Sequence, residues 1–132
     1  MIVYVDTSAV AKLLVEEAES ATVREYLAAL IDGGHLVASG RILETELRRI
    51  VVRHGTSQAR ATEVLELVDV VEHDRSQFRE AGLLADARLR SLDALHLATA
   101  LRAGADAMIT FDERLEEACA VVGLPVLVVA VA

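Results

Sequence analysis

The chain has 132 residues and a mass of 14.2 kDa, which predicts a single domain over residues 1–132. Hydrophobic residues make up 54% of it at a mean hydropathy of +0.41, which excludes intrinsic disorder, and the 3% of aromatic residues argues against single-strand binding by base stacking. The net charge of −8, taken alone, argues against a nucleic-acid partner. One cysteine, no visible signal peptide and no apolar run near the ~20 residues of a membrane span predict a soluble, cytoplasmic protein.

Short apolar runs alternate with helical patterns along the chain. The runs predict strands at residues 1–5, 35–38, 68–72, 107–110 and 125–131. The helical patterns lie at residues 9–15, 19–32, 42–53, 56–68, 75–88, 92–102 and 113–122. Because the strands are too apolar for a half-exposed sheet, the alternation predicts a three-layer α/β/α sandwich around a central parallel sheet of four to five strands.

Three aspartates stand where predicted helices begin. Asp6 follows the first strand, Asp112 follows the fourth, and Asp93 lies in the first turn of a helix that Ser91 is expected to cap. Ligands of open α/β sheets bind at the carboxyl ends of the strands, which favours a functional role. Asp is also a common N-cap, and the helix dipole favours an acid in the first turn. Taken singly, each aspartate is explained by capping at least as well as by function.

Glu46 is harder to explain structurally, because it falls inside the apolar stripe of its helix. That stripe is formed by Ile42, Leu43, Leu47 and Ile50. A buried carboxylate needs a compensating charge. Arg49 and Arg53, further along the same side of the helix, are one source of that charge, and a cation gathered by several carboxylates is the other.

The four acids together favour the cation. If they converge, their like charges repel, and a multivalent cation stabilises the cluster. A set of oxygen ligands is hard, which indicates Mg²⁺ or Mn²⁺. The four histidines and Cys119 have no zinc-ligand spacing, and His96 is expected on a helix surface.

Five segments, in this order and spacing, are similar to those of a known family. They are VDTSAVAKLLVEE (5–17), TELRR (45–49), SLDALHLATAL (91–101), GADAMITFDERLEEAC (104–119) and GLPV (123–126). Together they resemble the PIN domain and, more narrowly, the VapC-type toxins of bacterial toxin–antitoxin pairs. Each motif is weak alone, but the ordered set covers nearly the whole chain.

The resemblance implies an endoribonuclease that depends on Mg²⁺ or Mn²⁺ and hydrolyses RNA phosphodiester bonds with a metal-activated water, leaving 5′-phosphate and 3′-hydroxyl ends. It assigns catalysis and metal binding to Asp6, Glu46, Asp93 and Asp112, with the first and third as primary ligands. It assigns supporting polar roles to Thr7, Ser8 and Thr110. Arg114 stands where some relatives carry a further acid, which leaves the occupancy of a second metal site open.

The resemblance also implies partners: an RNA substrate, a cognate antitoxin protein that covers the acidic groove, and a second copy of the chain joined through residues 19–32 and 42–53. Arg49 and Arg53 are the candidates for holding the RNA backbone, unless they are solvated or pair with Glu46. The net charge then argues less strongly against a nucleic-acid partner, because assigning four of the acids to a metal site leaves a formal charge of −4 instead of −8.

Three functions other than an endoribonuclease are compatible with a small α/β domain that carries acidic residues. A receiver domain needs a lysine late in the chain, and the only lysine is Lys12. A haloacid-dehalogenase-type phosphatase needs a second aspartate where Ser8 stands. A catalytically silent PIN-like domain that acts as a binding module stays as the main alternative, and a metal-dependent ribonuclease assay separates it from an enzyme.

Overall fold

A four-stranded parallel sheet forms the centre of the computed structural model, which describes residues 1–130. The strands are β1 (Ile2–Val5), β2 (Leu36–Gly40), β3 (Asp69–Val71) and β4 (Ala107–Ile109). Their order is β3-β2-β1-β4, and all neighbouring pairs are parallel. Val5 pairs with Ile109, so the residues that directly follow β1 and β4 lie side by side at one edge of the sheet.

Seven helices accompany the strands in the described residues. They are α1 (Thr7–Val10), which continues as a 3₁₀ turn (Ala11–Leu13), α2 (Ser20–Asp32), α3 (Ile42–His54), α4 (Gln58–Glu66), α5 (Arg75–Gly82), α6 (Ser91–Arg102) and α7 (Glu113–Val121). Among the helices of residues 1–130, none combines the length and the hydrophobicity of a membrane-spanning segment.

The helices cover both faces of the sheet, as the apolar strands predict. Because side chains alternate along a strand, Val3 and Val5 point to one face and Tyr4 points to the other. The first face packs against residues of α1 to α4, and the second packs against α6 and α7. The prediction of a three-layer α/β/α sandwich with a parallel sheet is therefore confirmed.

The prediction of one helix over residues 75–88 is wrong, because α5 ends at Gly82. Leu84 and Leu89 both pack on the core around α6. In a continued helix, five residues at about 100° each would place these two leucines about 140° apart, so they would not share a face. Ser91 does not cap α6 either: Arg90 occupies the N-cap position and makes no side-chain cap bond.

The predicted fifth strand is reduced to a single bridge. Met108 of β4 bridges to Val126, through hydrogen bonds from Met108 N to Pro125 O at 2.9 Å and from Leu127 N to Met108 O at 2.8 Å. Residues 127–130 do not continue as a strand, and the predicted end at residue 131 lies outside the described residues.

Candidate functional site

Asp6 is the most firmly held of the four acids. It follows β1 directly and is only 2% exposed. Its carboxylate accepts hydrogen bonds from Ser8 Oγ at 2.8 and 2.9 Å, from Thr110 Oγ1 at 2.7 Å and from Ala9 N at 3.1 Å. Burial raises the pKa of Asp6 above its usual value, although these hydrogen bonds lower it in part. The bond from Ala9 is the N-cap bond of α1, so capping and a role at the site coexist in one side chain.

The two hydroxyl groups that donate to Asp6, those of Ser8 and Thr110, also hold the chain that follows β4. Ser8 Oγ accepts a hydrogen bond from Phe111 N at 2.8 Å, and Thr110 Oγ1 accepts one from Asp112 N at 3.0 Å. Thr110 reaches Asp6 because the register of β1 and β4 sets the two residues level. Ser8 and Thr110 therefore tie Asp6 to the segment that carries Asp112.

Asp112 and Asp93 differ in how they are held. The Asp112 carboxylate caps α7 by accepting a hydrogen bond from Leu115 N at 2.9 Å. Asp93 lies half-buried in the first turn of α6, and its carboxylate receives no hydrogen bond from residues 1–130. Burial first, and then the negative charges of Asp112, Asp6 and Glu46, raise the pKa of Asp93 to about 6. The four predicted acids thus share one electrostatic environment.

The charge of Glu46 is not offset by Arg49 or Arg53, the arginines expected as its partners. Its Oε1 accepts hydrogen bonds from Thr7 Oγ1 at 2.6 Å and from His96 Nε2 at 2.7 Å. Burial raises the pKa of Glu46, but the His96 and Thr7 contacts outweigh burial and leave the pKa below its usual value. Arg49 and Arg53 are exposed and form no ion pair within residues 1–130. The pairing of Glu46 with arginine is therefore wrong.

The prediction that His96 lies on a helix surface is also wrong, because its exposed fraction is 0%. Residues 94–100 of α6 are all buried between the sheet and neighbouring helices. The sequence carried a signal for this burial, since α6 is apolar on every side over LDALHLATA, which is typical of a buried helix. A polar residue inside such a helix needs a partner.

Two arginines that the sequence did not single out for RNA binding lie beside the acids. An open cavity of about 480 Å³ is lined by Arg90, Asp93, Phe111, Asp112, Glu113 and Arg114. The guanidinium groups of Arg90 and Arg114 are exposed and form no ion pair in the described part of the chain. The cavity therefore combines two carboxylates of the site with two cationic groups that are available to an anion.

The donor chemistry of the site fits a hard divalent cation. All four acids offer oxygen, and Asp93 has no hydrogen-bond donor among the described residues to offset its charge. As the side chains stand, no group of three or more His, Cys, Asp or Glu residues within 1–130 is arranged to hold a metal ion. The residues therefore fit such an ion by charge and ligand type. Their side chains are not arranged in a complete coordination geometry.

Comparisons with known proteins agree with the fold. The model of the PIN domain family matches residues 3–121. Ribonuclease VapC47 of Mycobacterium tuberculosis (strain CDC 1551 / Oshkosh) is 36% identical over 125 residues, which cover 92% of each chain.

Solved structures are similar in fold at lower identity. VapC20 of Mycobacterium tuberculosis, described as a sarcin-ricin loop cleaving toxin, has a TM-score of 0.73 at 19% identity, covering 88% of this chain and 94% of that one. VapBC2 of Rickettsia felis, bound to a DNA fragment from its promoter, has a TM-score of 0.71 at 14% identity, covering 96% of this chain and 98% of that one.

Proposed function

The chain belongs to the PIN domain family, in its VapC branch, and from this premise we propose that it is an RNA-cleaving toxin of a toxin–antitoxin pair that depends on Mg²⁺ or Mn²⁺. The observation that carries the proposal is the state of Asp93. Its half-buried carboxylate lacks a hydrogen-bond donor within residues 1–130, and burial first, then repulsion by three neighbouring acids, raises its pKa to about 6. A multivalent cation removes that repulsion, whereas a purely structural acid would have a local partner.

In this proposal the ion is held by Asp6, Glu46, Asp93 and Asp112. When bound, a divalent ion supplies a Lewis acid for the phosphoryl group and makes water a stronger nucleophile. The chain's own contribution is to fix one of these ligands, Asp6, beforehand. Ser8, Thr110 and the Ala9 amide hold Asp6 in one orientation, so the site loses little conformational entropy on binding.

In this proposal the two arginines that line the cavity contact the RNA. Arg90 and Arg114 share a cavity with Asp93 and Asp112, within reach of a phosphate group that lies against the acids. Guanidinium groups suit phosphate because they donate two parallel hydrogen bonds. Arg49 and Arg53, exposed on α3, stay candidates for holding the strand further from the cut.

We expect the double variant Arg90→Ala/Arg114→Ala to bind single-stranded RNA more weakly and with less dependence on salt. Each phosphate contact on a single strand contributes about 0.7 to the slope of log affinity against log salt, so losing two contacts lowers the slope by about 1.4. The measurement is a salt titration of oligoribonucleotide binding, made in an Asp93→Asn background and in chelator so that the RNA is not cleaved.

The matched control for this titration is Arg75→Ala/Arg79→Ala on α5. It removes the same charge from two exposed arginines that form no ion pair with described residues and do not line the cavity. Equal slopes for the two double variants would show that Arg90 and Arg114 act only through net charge.

We expect the affinity for Mg²⁺ to fall as the pH is lowered through about 6, the raised pKa of Asp93. The ion binds the carboxylate form, so a proton competes with it below that pH, by about tenfold in affinity per pH unit for one group. The same shift stabilises the metal-free protein as the pH falls from about 6 toward 3.8, because the folded state then holds a proton that the unfolded state has lost.

The pH dependence is read from the Mg²⁺-induced rise in melting temperature, measured at several values between about pH 5 and 8. Asp93→Asn is expected to abolish the dependence near pH 6. A Mg²⁺ effect of constant size across this range would contradict the role given to Asp93.

The partners follow from the family in the same way. The proposal places the chain in the cytoplasm beside RNA, with a cognate antitoxin that covers the acids by presenting a cation of its own. The homodimer through residues 19–32 and 42–53 stays a prediction. Co-expression with the neighbouring reading frame, followed by sedimentation of the purified material, measures both associations.

The experiment that tests the function is an RNA cleavage assay on the purified chain with Mg²⁺, with Mn²⁺ and with a chelator. Cleavage that needs the ion and leaves 5′-phosphate ends supports the proposal. Binding of RNA or antitoxin without cleavage under any of these conditions would instead identify a silent binding module.

A further inference from the structure

A chain of hydrogen bonds runs from the candidate site into the core through a buried histidine. Gly40 N lies 2.9 Å from Tyr4 Oη, which lies 2.7 Å from His96 Nδ1. On the other side of the ring, His96 Nε2 lies 2.7 Å from Glu46 Oε1. Tyr4 and His96 are both fully buried, so water does not substitute for these contacts.

The directions of these bonds follow from their donors. The Gly40 N–H donates to Tyr4 Oη, and the hydroxyl proton of Tyr4 is assigned to His96 Nδ1 because no other acceptor within residues 1–130 forms a hydrogen bond with it. With Nδ1 as acceptor, the neutral imidazole carries its proton on Nε2 and donates it to Glu46.

The backbone approach that begins this chain requires glycine. A Cβ built at residue 40 would lie 2.9 Å from Tyr4 Oη and would overlap the ring of His73. Any other residue would displace Tyr4 from the Gly40 amide or move the His73 ring. The end of β2 therefore sets the position of Tyr4, and through it the tautomer of His96.

The two oxygens of Glu46 are treated differently by the fold. His96 Nε2 and Thr7 Oγ1 both donate to Oε1, whereas no donor among residues 1–130 reaches Oε2. Nε2 also lies 3.1 Å from Thr7 Oγ1, so the two donors approach the same oxygen side by side. One oxygen of the carboxylate is fixed, and the other is available to a cation.

We infer that His96, held in one tautomer by Tyr4, is a positioning residue that presents Glu46 Oε2 to the divalent cation. The inference rests on the proposed function, since it concerns the same site. It adds to the four acids a buried residue from α6 and a tyrosine from β1. Partners that orient a ligand in this way change metal affinity by about tenfold to a hundredfold.

Replacing His96 by glutamine or by asparagine tests this role, because each amide side chain takes the place of only one of the two ring nitrogens. In His96→Gln the terminal amide lies near the former Nε2 and keeps a donor for Glu46. In His96→Asn the amide lies near the former Nδ1 and keeps a partner for Tyr4 only. Both variants leave the charge of the acids unchanged.

Calorimetric titration of the full chain with Mn²⁺ is the measurement, paired with thermal unfolding in chelator. We expect His96→Asn to weaken Mn²⁺ binding at least about tenfold and His96→Gln to weaken it less than about threefold. The melting temperatures of the two metal-free variants are expected to agree. Equal Mn²⁺ affinities for the two variants, or affinities that simply follow metal-free stability, would overturn the inference.

Mn²⁺ uptake by the wild type and the ¹⁵N chemical shifts of the His96 ring separate the remaining outcomes. If wild-type protein takes up no Mn²⁺, the proposed function fails, and this outcome is distinct from failure of His96 alone. If the His96 variants do not fold, ¹⁵N chemical shifts of the His96 ring in wild type and in Tyr4→Phe report the tautomer. A proton on Nε2 in wild type that becomes shared between both nitrogens in Tyr4→Phe supports the inference, and a proton on Nδ1 in wild type overturns it.

Discussion

Asp93→Asn is expected to lower metal-dependent RNA cleavage by about a thousandfold, which corresponds to about 4 kcal/mol of transition-state stabilisation. The same substitution is expected to raise the melting temperature of the metal-free protein by about 2 °C. The reason is that the ionised Asp93 lies near Asp112, Asp6 and Glu46 and receives no hydrogen bond from residues 1–130. Its charge therefore destabilises the metal-free fold.

Cleavage rates in saturating Mg²⁺ and unfolding in chelator measure the two effects. The matched control is Asp69→Asn at the exposed start of β3, which changes the net charge by the same amount away from the site. Undiminished cleavage by Asp93→Asn would remove this residue from the catalytic set. A lower melting temperature would mean that Asp93 has a stabilising partner after all.

Asp6→Asn is expected to abolish cleavage as well, but with the opposite effect on stability. Asp6 is almost fully buried, and its two oxygens accept from Ser8, Thr110 and Ala9. An asparagine amide offers one acceptor oxygen and turns an NH₂ group toward a donor, which costs about 1–3 kcal/mol. We therefore expect the melting temperature to fall by about 5 °C or more.

Differential scanning calorimetry of both variants in chelator distinguishes the two kinds of acid. Asp6 is held by hydrogen bonds from its own chain, whereas Asp93 is held by none that the described chain supplies. If Asp6→Asn melted above wild type, the hydrogen bonds on Asp6 would be too weak to offset its burial, and its role as a pre-formed ligand would fail.

Local patterns predicted four of the five expected strands and most helix ends. The strands around Tyr4 and Met108 read as apolar runs, because a parallel sheet covered on both faces leaves no polar face. Gly55 ends α3 with a φ of 68°, a left-handed conformation that suits glycine, and Ser57 caps α4 by accepting from Ala59 N. These features depend on a few adjacent residues, which is why the sequence suffices.

The candidate site could be predicted only in part. The stripe around Glu46 showed that a carboxylate was buried and needed a partner. It did not reveal that the partner is His96, which lies 50 residues away on another helix. The sequence placed Arg114 beside the acids but did not predict that Arg90 joins it, because the two come from the starts of two helices that meet at the cavity.

The sequence by itself determined which residues stand at the carboxyl ends of β1 and β4, since that placement follows from strand order along the chain and from the shared direction of parallel strands. Only the tertiary structure decided which oxygen of Glu46 is fixed and which is free. That choice depends on how α3 and α6 are rotated as they pack, and a helix's rotation is set by contacts with the rest of the core rather than by its own residues.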